Sequence, residues 1–488
     1  MILAPKETQL TDEEVRKGLR MVIGDGLTTE AMTVLTGGTF LTAMALLLGA
    51  SNLEIGVLAG LPTFTNIFQL LSIWLVGKLR NRRLVAVGCA LLARVPLLVI
   101  GFFVLAGSAS IHLLMSLLFF YYFFGSIAGP SWNSWIKDLV PESVLGTYFA
   151  RRIRLSQILN VALSLVLALL LDLVKKQFAG FELIAYAMMF LAGGAVGISG
   201  AFILSRAPEP LSEMSETRFF GLLRQPLRNR NFSRLLLFNA AWVFSLNLAT
   251  PFFTVYMIKT LNLPLSYIIV LSSIGLLSSI FTIRIWGDWA DRFSNKTIIA
   301  VGGPLYILCI VGWCFVGIYT ELYANLILLV LIHIGSGIST AGINLSLANI
   351  GLKLAPREDA IVYLSTQNII MAFFSSVAPL LGGVLADYFT SRHLSVTAQY
   401  TSPHFHKVFR LLVLHEWNFL FLIGALLALV SLQLLIAVQE KGEVDKDKVV
   451  RLVRHSIRSN LKETFLIGDV IQWHEQLRAM VRRRITGN

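Results

Sequence analysis

Charge is scarce in this 488-residue chain: 14% of its residues are Asp, Glu, Lys or Arg, against about a quarter in ordinary soluble domains. So little charge cannot clothe a water-facing surface of that size, which excludes a soluble globular protein. Cysteine is scarcer still. Cys89, Cys309 and Cys314 all fall inside apolar stretches, so neither a disulfide framework nor a metal site is expected. No G-x-x-x-x-G-K-S/T loop is present to cradle nucleotide phosphates, no histidine–carboxylate cluster has metal-ligand spacing, and no nucleophile stands beside a base in a familiar pattern. These absences argue against ATP-driven transport and against a membrane enzyme, and they call for no cofactor and no metal. A short apolar core followed by a small-residue cleavage site is also missing at the start, so the N-terminus is expected to be retained.

What is present is apolar surface: 56% of residues are hydrophobic and the mean hydropathy is +0.72. Apolar stretches of about 20 residues, enough to cross a roughly 30 Å hydrocarbon core as helix, begin near residues 21, 54, 84, 111, 153, 181, 233, 265, 297, 322, 361 and 413. They predict an all-α membrane protein of twelve transmembrane helices, numbered here as spans one to twelve. Most of the 41 basic residues lie in the N-terminal arm, the even-numbered loops and the C-terminal tail. The positive-inside rule then places both termini in the cytoplasm. The formal charge of +13 follows from this bias and suits anionic inner-leaflet lipid. Because the charge is spread over many short loops, nucleic acid is not an expected partner.

The chain repeats itself. Leu139, Pro141, Tyr148 and Asp172 recur at one constant offset as Leu354, Pro356, Tyr363 and Asp387. Earlier in each half Ile55, Val57 and Leu58 answer to Ile268, Val270 and Leu271, and Val87-Gly88 to Val301-Gly302. Six spans per half is an even number, so the two bundles share one orientation, as parallel repeats do. The expected organisation is a six-helix bundle over 1–205, a cytoplasmic linker over 206–231, a second bundle over 232–440 and a tail over 441–488. Phe219–Leu227 reads as a short amphipathic helix on the membrane surface. In the tail, Leu452, Val453, Ile457, Leu461 and Phe465, then Ile471, Trp473, Leu477 and Met480, recur at helical spacing, which predicts one or two cytoplasmic amphipathic helices.

After span eight comes Gly287-Asp288-Trp289-Ala290-Asp291-Arg292-Phe293-Ser294-Asn295-Lys296. It resembles the cytoplasmic G-x-x-x-D-R-x-G-R/K loop of the major facilitator superfamily, with Gly287, Asp291, Arg292 and Lys296 on the matching positions. The first-half copy, Gly77-Lys78-Leu79-Arg80-Asn81-Arg82-Arg83, is shorter and has no aspartate. After span four, Trp132-Asn133-Ser134-Trp135-Ile136-Lys137-Asp138-Leu139-Val140-Pro141, continuing to Gly146-Thr147-Tyr148-Phe149-Ala150-Arg151-Arg152, is similar to a pattern in bacterial branches of that superfamily. The resemblance covers residues 20–440. It implies the major facilitator fold, a secondary transporter working by alternating access, and a cytoplasmic gate at Gly287, Asp291, Arg292 and Lys296. It further implies a cavity lined by spans one, four, seven and ten. The cavity candidates are then Trp132, Asn133 and Trp135, Asn239, Trp242 and Asn247, and Ser336, Ser339, Thr340 and Asn344.

Ionisable groups far from a span's ends are costly and mark function. Glu30 stands roughly 15 Å along helix one from Arg20, and Arg94 on span three reaches a similar depth, so the two are expected to meet as a pair that a proton can break. Asp25 lies about 140° around the helix from Glu30 and is a second proton-coupling candidate. His333 on span ten titrates near neutral pH when unperturbed and is a third. Arg284 is a buried-charge candidate or a snorkelling side chain. Asp172 and Asp387, at matching outer ends of spans five and eleven, are expected to face water or to pair locally. The function expected is transport of a small solute, proton-coupled through Glu30 or Asp25. The partners are that solute, protons and the lipid bilayer of a bacterial inner membrane, and the protein is expected to be a monomer. Arg94 tilts the solute toward an anion. The alternative is a transporter-like sensor or assembly partner acting through its tail.

Overall fold

A computed structural model of the protein describes residues 10–210, 225–318, 322–356, 359–402 and 405–440. The predicted tail helices over 441–488 and most of the predicted linker helix lie outside the described residues; its end appears as a short turn of helix, Gln225–Arg228. Among the described residues, 12 helices are long and apolar enough to cross a membrane. In the first half they are Asp12–Leu47, Asn52–Leu79, Arg82–Leu105, Ile111–Leu139, Glu142–Gln177 and Glu182–Ser205. The second half repeats them as Arg230–Lys259, Leu265–Phe293, Asn295–Trp313, Leu322–Leu354, Val362–Phe389 and Trp417–Ile436.

Local chemistry sets where the spans begin and break. Thr11 with Glu14 and Ser51 with Glu54 form capping boxes that start spans one and two, each satisfying amides that have no partner inside the helix. Span one breaks at Gly37 and resumes at Gly38, whose φ of +57° suits a residue without a Cβ. Span two carries Pro62, and shortly after it the chain tightens into a 3₁₀ turn over Asn66–Phe68. Proline removes a ladder hydrogen bond, and the turn aims Asn66 and Gln69 at an internal cavity.

The duplication reappears in the packing. Span one packs on spans five and six as span seven packs on eleven and twelve, and spans three and four pair as nine and ten do. Both bundles begin and end on one face, called the terminal face here; the opposite face is the distal face. Between spans eleven and twelve lies an element the sequence reading lacked, an antiparallel hairpin of β1 (His393–Ser402) and β2 (Phe405–His415). It is an addition to the twelve-helix membrane fold, which stands as expected, and it moves the start of span twelve from near 413 to Trp417. The apolar end of β2, Leu411 to Leu414, runs into the apolar stretch of span twelve, so hydropathy merges a strand with a helix.

A duplicated clamp closes each bundle at the terminal face. Just after span six, Glu209 accepts the backbone N–H groups of Arg82 (2.8 Å) and Arg83 (3.3 Å), which open span three. Just after span twelve, Glu440 accepts those of Lys296 (2.8 Å) and Asn295 (3.3 Å), which open span nine. A carboxylate there satisfies orphan amides and complements the helix dipole. The flanking charges exchange sides between the halves. Arg82, on span three, pairs with Asp138 of span four at 2.5 Å and with Glu209 at 3.5 Å, while in the second half the base is Lys353 of span ten, which pairs with Glu440 at 3.1 Å.

Candidate functional site

Asp25 is 4% exposed and Arg94 is 5% exposed, and both line a cavity of about 500 Å³ inside the first bundle. Arg94 Nη2 stands 3.7 Å from Asp25 Oδ1 and donates to Thr29 Oγ1 at 3.3 Å. A third charge enters from span five. The Arg152 guanidinium lies 4.8 Å from the centre of the Trp132 ring on span four, a cation–π geometry. It also lies against Gly26 of span one, where a Cβ would stand 2.6 Å from Arg152 Nε. Gly26 therefore makes room for the guanidinium. Tyr121, Tyr122 and Asn133 complete the wall on span four, and Asn66 and Gln69 on span two. Three charged atoms here have no hydrogen-bond partner: Asp25 Oδ1, Arg94 Nη1 and Arg152 Nε.

A second space of about 620 Å³ lies between the bundles and shares Asn66 and Gln69 with the first. Its other wall includes Val243 of span seven with Ser365 and Asn368 of span eleven. The two spaces together lead from the charged cavity to the cleft between the halves.

The pairing expected for Arg94 is corrected. Its partner is Asp25, while Glu30 accepts from Asn160 Nδ2 of span five at 2.6 Å. Depth along a helix fixes height but not azimuth, and the 140° between the two acids turns Glu30 away. Trp135 is corrected too: it is fully buried in a terminal-face core with Val22, Ile136 and Leu139, and its indole N–H donates to Pro208 O at 2.9 Å. Trp132 and Asn133 do line the cavity.

In the second bundle the candidates turn mostly inward. Asn239 is buried with neither side-chain atom hydrogen-bonded, and Trp242 is buried and stacks on Phe238 at 6.2 Å. Asn247, Ser339 and Thr340 bond carbonyls of their own helices, the last to Ser336 O at 2.7 Å. Asn344 and Arg284 are exposed. The His333 ring nitrogen Nδ1 lies 2.7 Å from Leu329 O. At the terminal end of span eight, Asp291 and Arg292 are exposed and Arg292 covers Phe293 at 5.3 Å. Lys296 joins the Glu440 clamp, and Gly287 faces Leu345 at ordinary contact distance.

Sequence reasoning missed Arg152, Tyr121, Tyr122, Asn66, Gln69 and Asn160. One signal was available for Arg152. Tyr148 and Arg152 stand at i,i+4 on one helical face, and Tyr148 Oη donates to Leu19 O of span one at 2.8 Å, which aims Arg152 at the same helix.

The charged cavity in a duplicated twelve-helix chain is matched by sequence family. A profile described as Major Facilitator Superfamily matches residues 27–363. The chain belongs to the major facilitator superfamily. No curated protein matches it in sequence. Among solved structures this superfamily member is similar to the nucleoside transporter NupG, at 16% identity and a TM-score of 0.61, covering 87% of this chain and 98% of that one. It is similar also to the xylose transporter XylE from E. coli in an inward open conformation, at 13% identity and a TM-score of 0.56, covering 90% and 98%. A third is a bacterial homologue of the human lysosomal transporter Spinster, inward-facing and occupied, at 14% identity and a TM-score of 0.56, covering 78% and 83%. These likenesses concern the fold. Family and fold together make the protein an integral membrane transporter of a solute.

Proposed function

We propose that the protein is a secondary-active transporter that moves a small solute by alternating access, with both termini in the cytoplasm of a bacterial inner membrane. The observation that carries this reading is a pair of cross-bundle latches at the distal face, built from the repeated aspartates. Asp172 of span five accepts the N–H groups of Leu265 and Ser266, both at 2.9 Å, at the start of span eight in the other bundle. Asp387 of span eleven accepts the N–H of Leu53 at 3.1 Å, at the start of span two. Asp387 is exposed, as expected of a residue facing water, but neither aspartate pairs locally: both accept from the other bundle. Each caps a helix that it does not belong to, so the distal face is sealed while the polar cavity lies behind it. On the positive-inside rule the distal face is the outer one, and this conformation opens inward.

Such latches suit a reversible gate. A charge-assisted hydrogen bond contributes about 1.5–3 kcal/mol net, and water replaces it when the bundles part. Replacing both aspartates with alanine should shift the population toward the distally open state by about tenfold, the equivalent of ~1.4 kcal/mol. Spin labels on Leu47 and Ser391 would read the shift, and an unchanged distance distribution would remove the latch from the mechanism.

Proton coupling runs through Asp25 in this reading. It sits between the guanidiniums of Arg94 and Arg152, so its protonation frees both cations, whereas Glu30 is held by a neutral amide. The deciding experiment is uptake into proteoliposomes from a radiolabelled panel of nucleosides, sugars and organic acids, with and without an inward proton gradient. Cysteines at positions 53 and 387, cross-linked across the distal face, should stop flux and release it on reduction. A solute that crosses equally well through the cross-linked protein rules out alternating access.

A further inference from the structure

The geometry points to an organic anion as the solute, with its oxyanion held between Arg94 and Arg152 and its apolar body lying on Trp132 and Tyr121. This rests on the transport reading and adds to it the chemistry of the cargo. The lining of the cavity carries two guanidiniums and a single carboxylate, an excess of one positive charge, and one of the two cations, Arg94, is only 5% exposed. Such a cation is costly to bury unless something pairs with it. Asp25 pairs weakly, at 3.7 Å, with no hydrogen bond to its Oδ1.

Arg94 is the decisive group. It is 5% exposed, lines the cavity, and leaves Nη1 without an acceptor. Arg152 leaves Nε likewise. Both guanidiniums press on one stretch of span one, Arg94 through Thr29 and Arg152 over Gly26. A two- or three-oxygen anion seated there can accept from both, the bridging geometry in which guanidinium exceeds any other side chain. Beside polar groups such as Asn66, Gln69 and Asn133, the wall carries an apolar and aromatic stretch of Met32, Pro62, Ala90, Ala93, Tyr121 and Tyr122. That surface favours an organic body over a bare inorganic ion, and about 500 Å³ falls in the range of pockets that enclose small-molecule ligands.

The test is binding to the full-length purified protein by matched probes: 3-phenylpropionate, phenyl phosphate, 3-phenylpropionamide and inorganic phosphate, read by thermal stabilisation and by titration calorimetry. The two organic anions separate carboxylate from phosphate recognition. At least one should bind at millimolar concentration or better, with the amide and inorganic phosphate at least tenfold weaker. Arg152→Gln and Arg94→Gln should each weaken the bound anion about 10- to 100-fold. Gly26→Ala keeps both charges but displaces Arg152, and should weaken it by a smaller factor while the melting curve shows a folded protein. The inference is overturned if neither organic anion binds, if the amide binds as well as the acid, or if Arg152→Gln leaves affinity unchanged. Anion binding without flux in proteoliposomes would sink the transport reading alone. Flux and binding confined to neutral solutes would sink this one alone.

Discussion

Gly383→Leu is expected to hold the distal face open and to abolish transport. In the sealed state a Cβ at this position would stand 2.5 Å from Asn52 O and 2.7 Å from Leu53 Cα, and both are backbone atoms of span two in the opposite bundle. Side chains can rotate away from an intruder, but helix backbones move only as whole spans. The same close approach recurs along the seam. A Cβ at Gly60 would meet Ser376 O of span eleven at 2.6 Å, and one at Gly56 would clash with Pro379 O. Overpacking a tight contact costs about 1–3 kcal/mol, and here the protein escapes that cost by parting its bundles rather than by unfolding. An upper value of ~3 kcal/mol displaces a two-state equilibrium roughly 100-fold. Spin labels at Leu47 and Ser391 on a cysteine-free background should report the longer distance as the dominant one, and flux should vanish. Gly382 is the control, because its neighbours are Leu248 O and Phe252 of span seven in its own bundle. Gly382→Leu should lower the melting temperature without opening the distal face. If Gly383→Leu leaves the distance unchanged, spans two and eleven are not the closing seam.

The sequence disclosed the architecture because hydropathy and duplication are one-dimensional signals. Twelve spans, their parity and the equivalence of Asp172 with Asp387 could all be read from order and spacing. What the aspartates do was hidden, since each caps a helix of the other half and no local pattern records that partner. Azimuth was hidden for the same kind of reason. Glu30 and Arg94 agree in depth yet face different neighbours, and only the packing of spans one, three and five decides between Glu30 and Asp25. Trp132 and Trp135 look equivalent in sequence and stand only about 60° apart around the helix, so which of them meets the cavity and which the core is decided by the packing of neighbouring spans. Glu209 and Glu440 escaped notice because they follow their spans, beyond the apolar period, in sequences as different as Ala207-Pro208-Glu209 and Val438-Gln439-Glu440. The hairpin escaped because the end of its last strand, Leu411 to Leu414, is as apolar as the helix it leads into.

Glu440→Ala is expected to be the most destabilising change at the terminal face, and its effect should depend on pH. Its side chain is almost wholly buried, and it accepts from two backbone amides, from Asn295 Nδ2 at 2.8 Å and from Lys353. Burial by itself pushes the carboxyl up, but the hydrogen bonds from Lys296, Asn295 and Lys353 together outweigh burial and hold it below its ordinary value of 4.5. A carboxyl lowered on folding stabilises the native state fully above the unfolded value, and that contribution fades as the pH falls through the folded one. Removing it leaves the amides that open span nine without an acceptor, a loss of about 2–4 kcal/mol at neutral pH. The gap in apparent melting temperature between the native protein and Glu440→Ala should therefore be widest near pH 7 and should narrow steadily below about pH 4.5. Glu440→Gln separates charge from shape: the amide oxygen can still accept from one N–H, so this variant should fall between the two at neutral pH and lose its pH dependence. A gap that stays constant from pH 7 down to pH 3.5 would mean that the carboxylate acts through packing alone, and the clamp would then be steric rather than electrostatic.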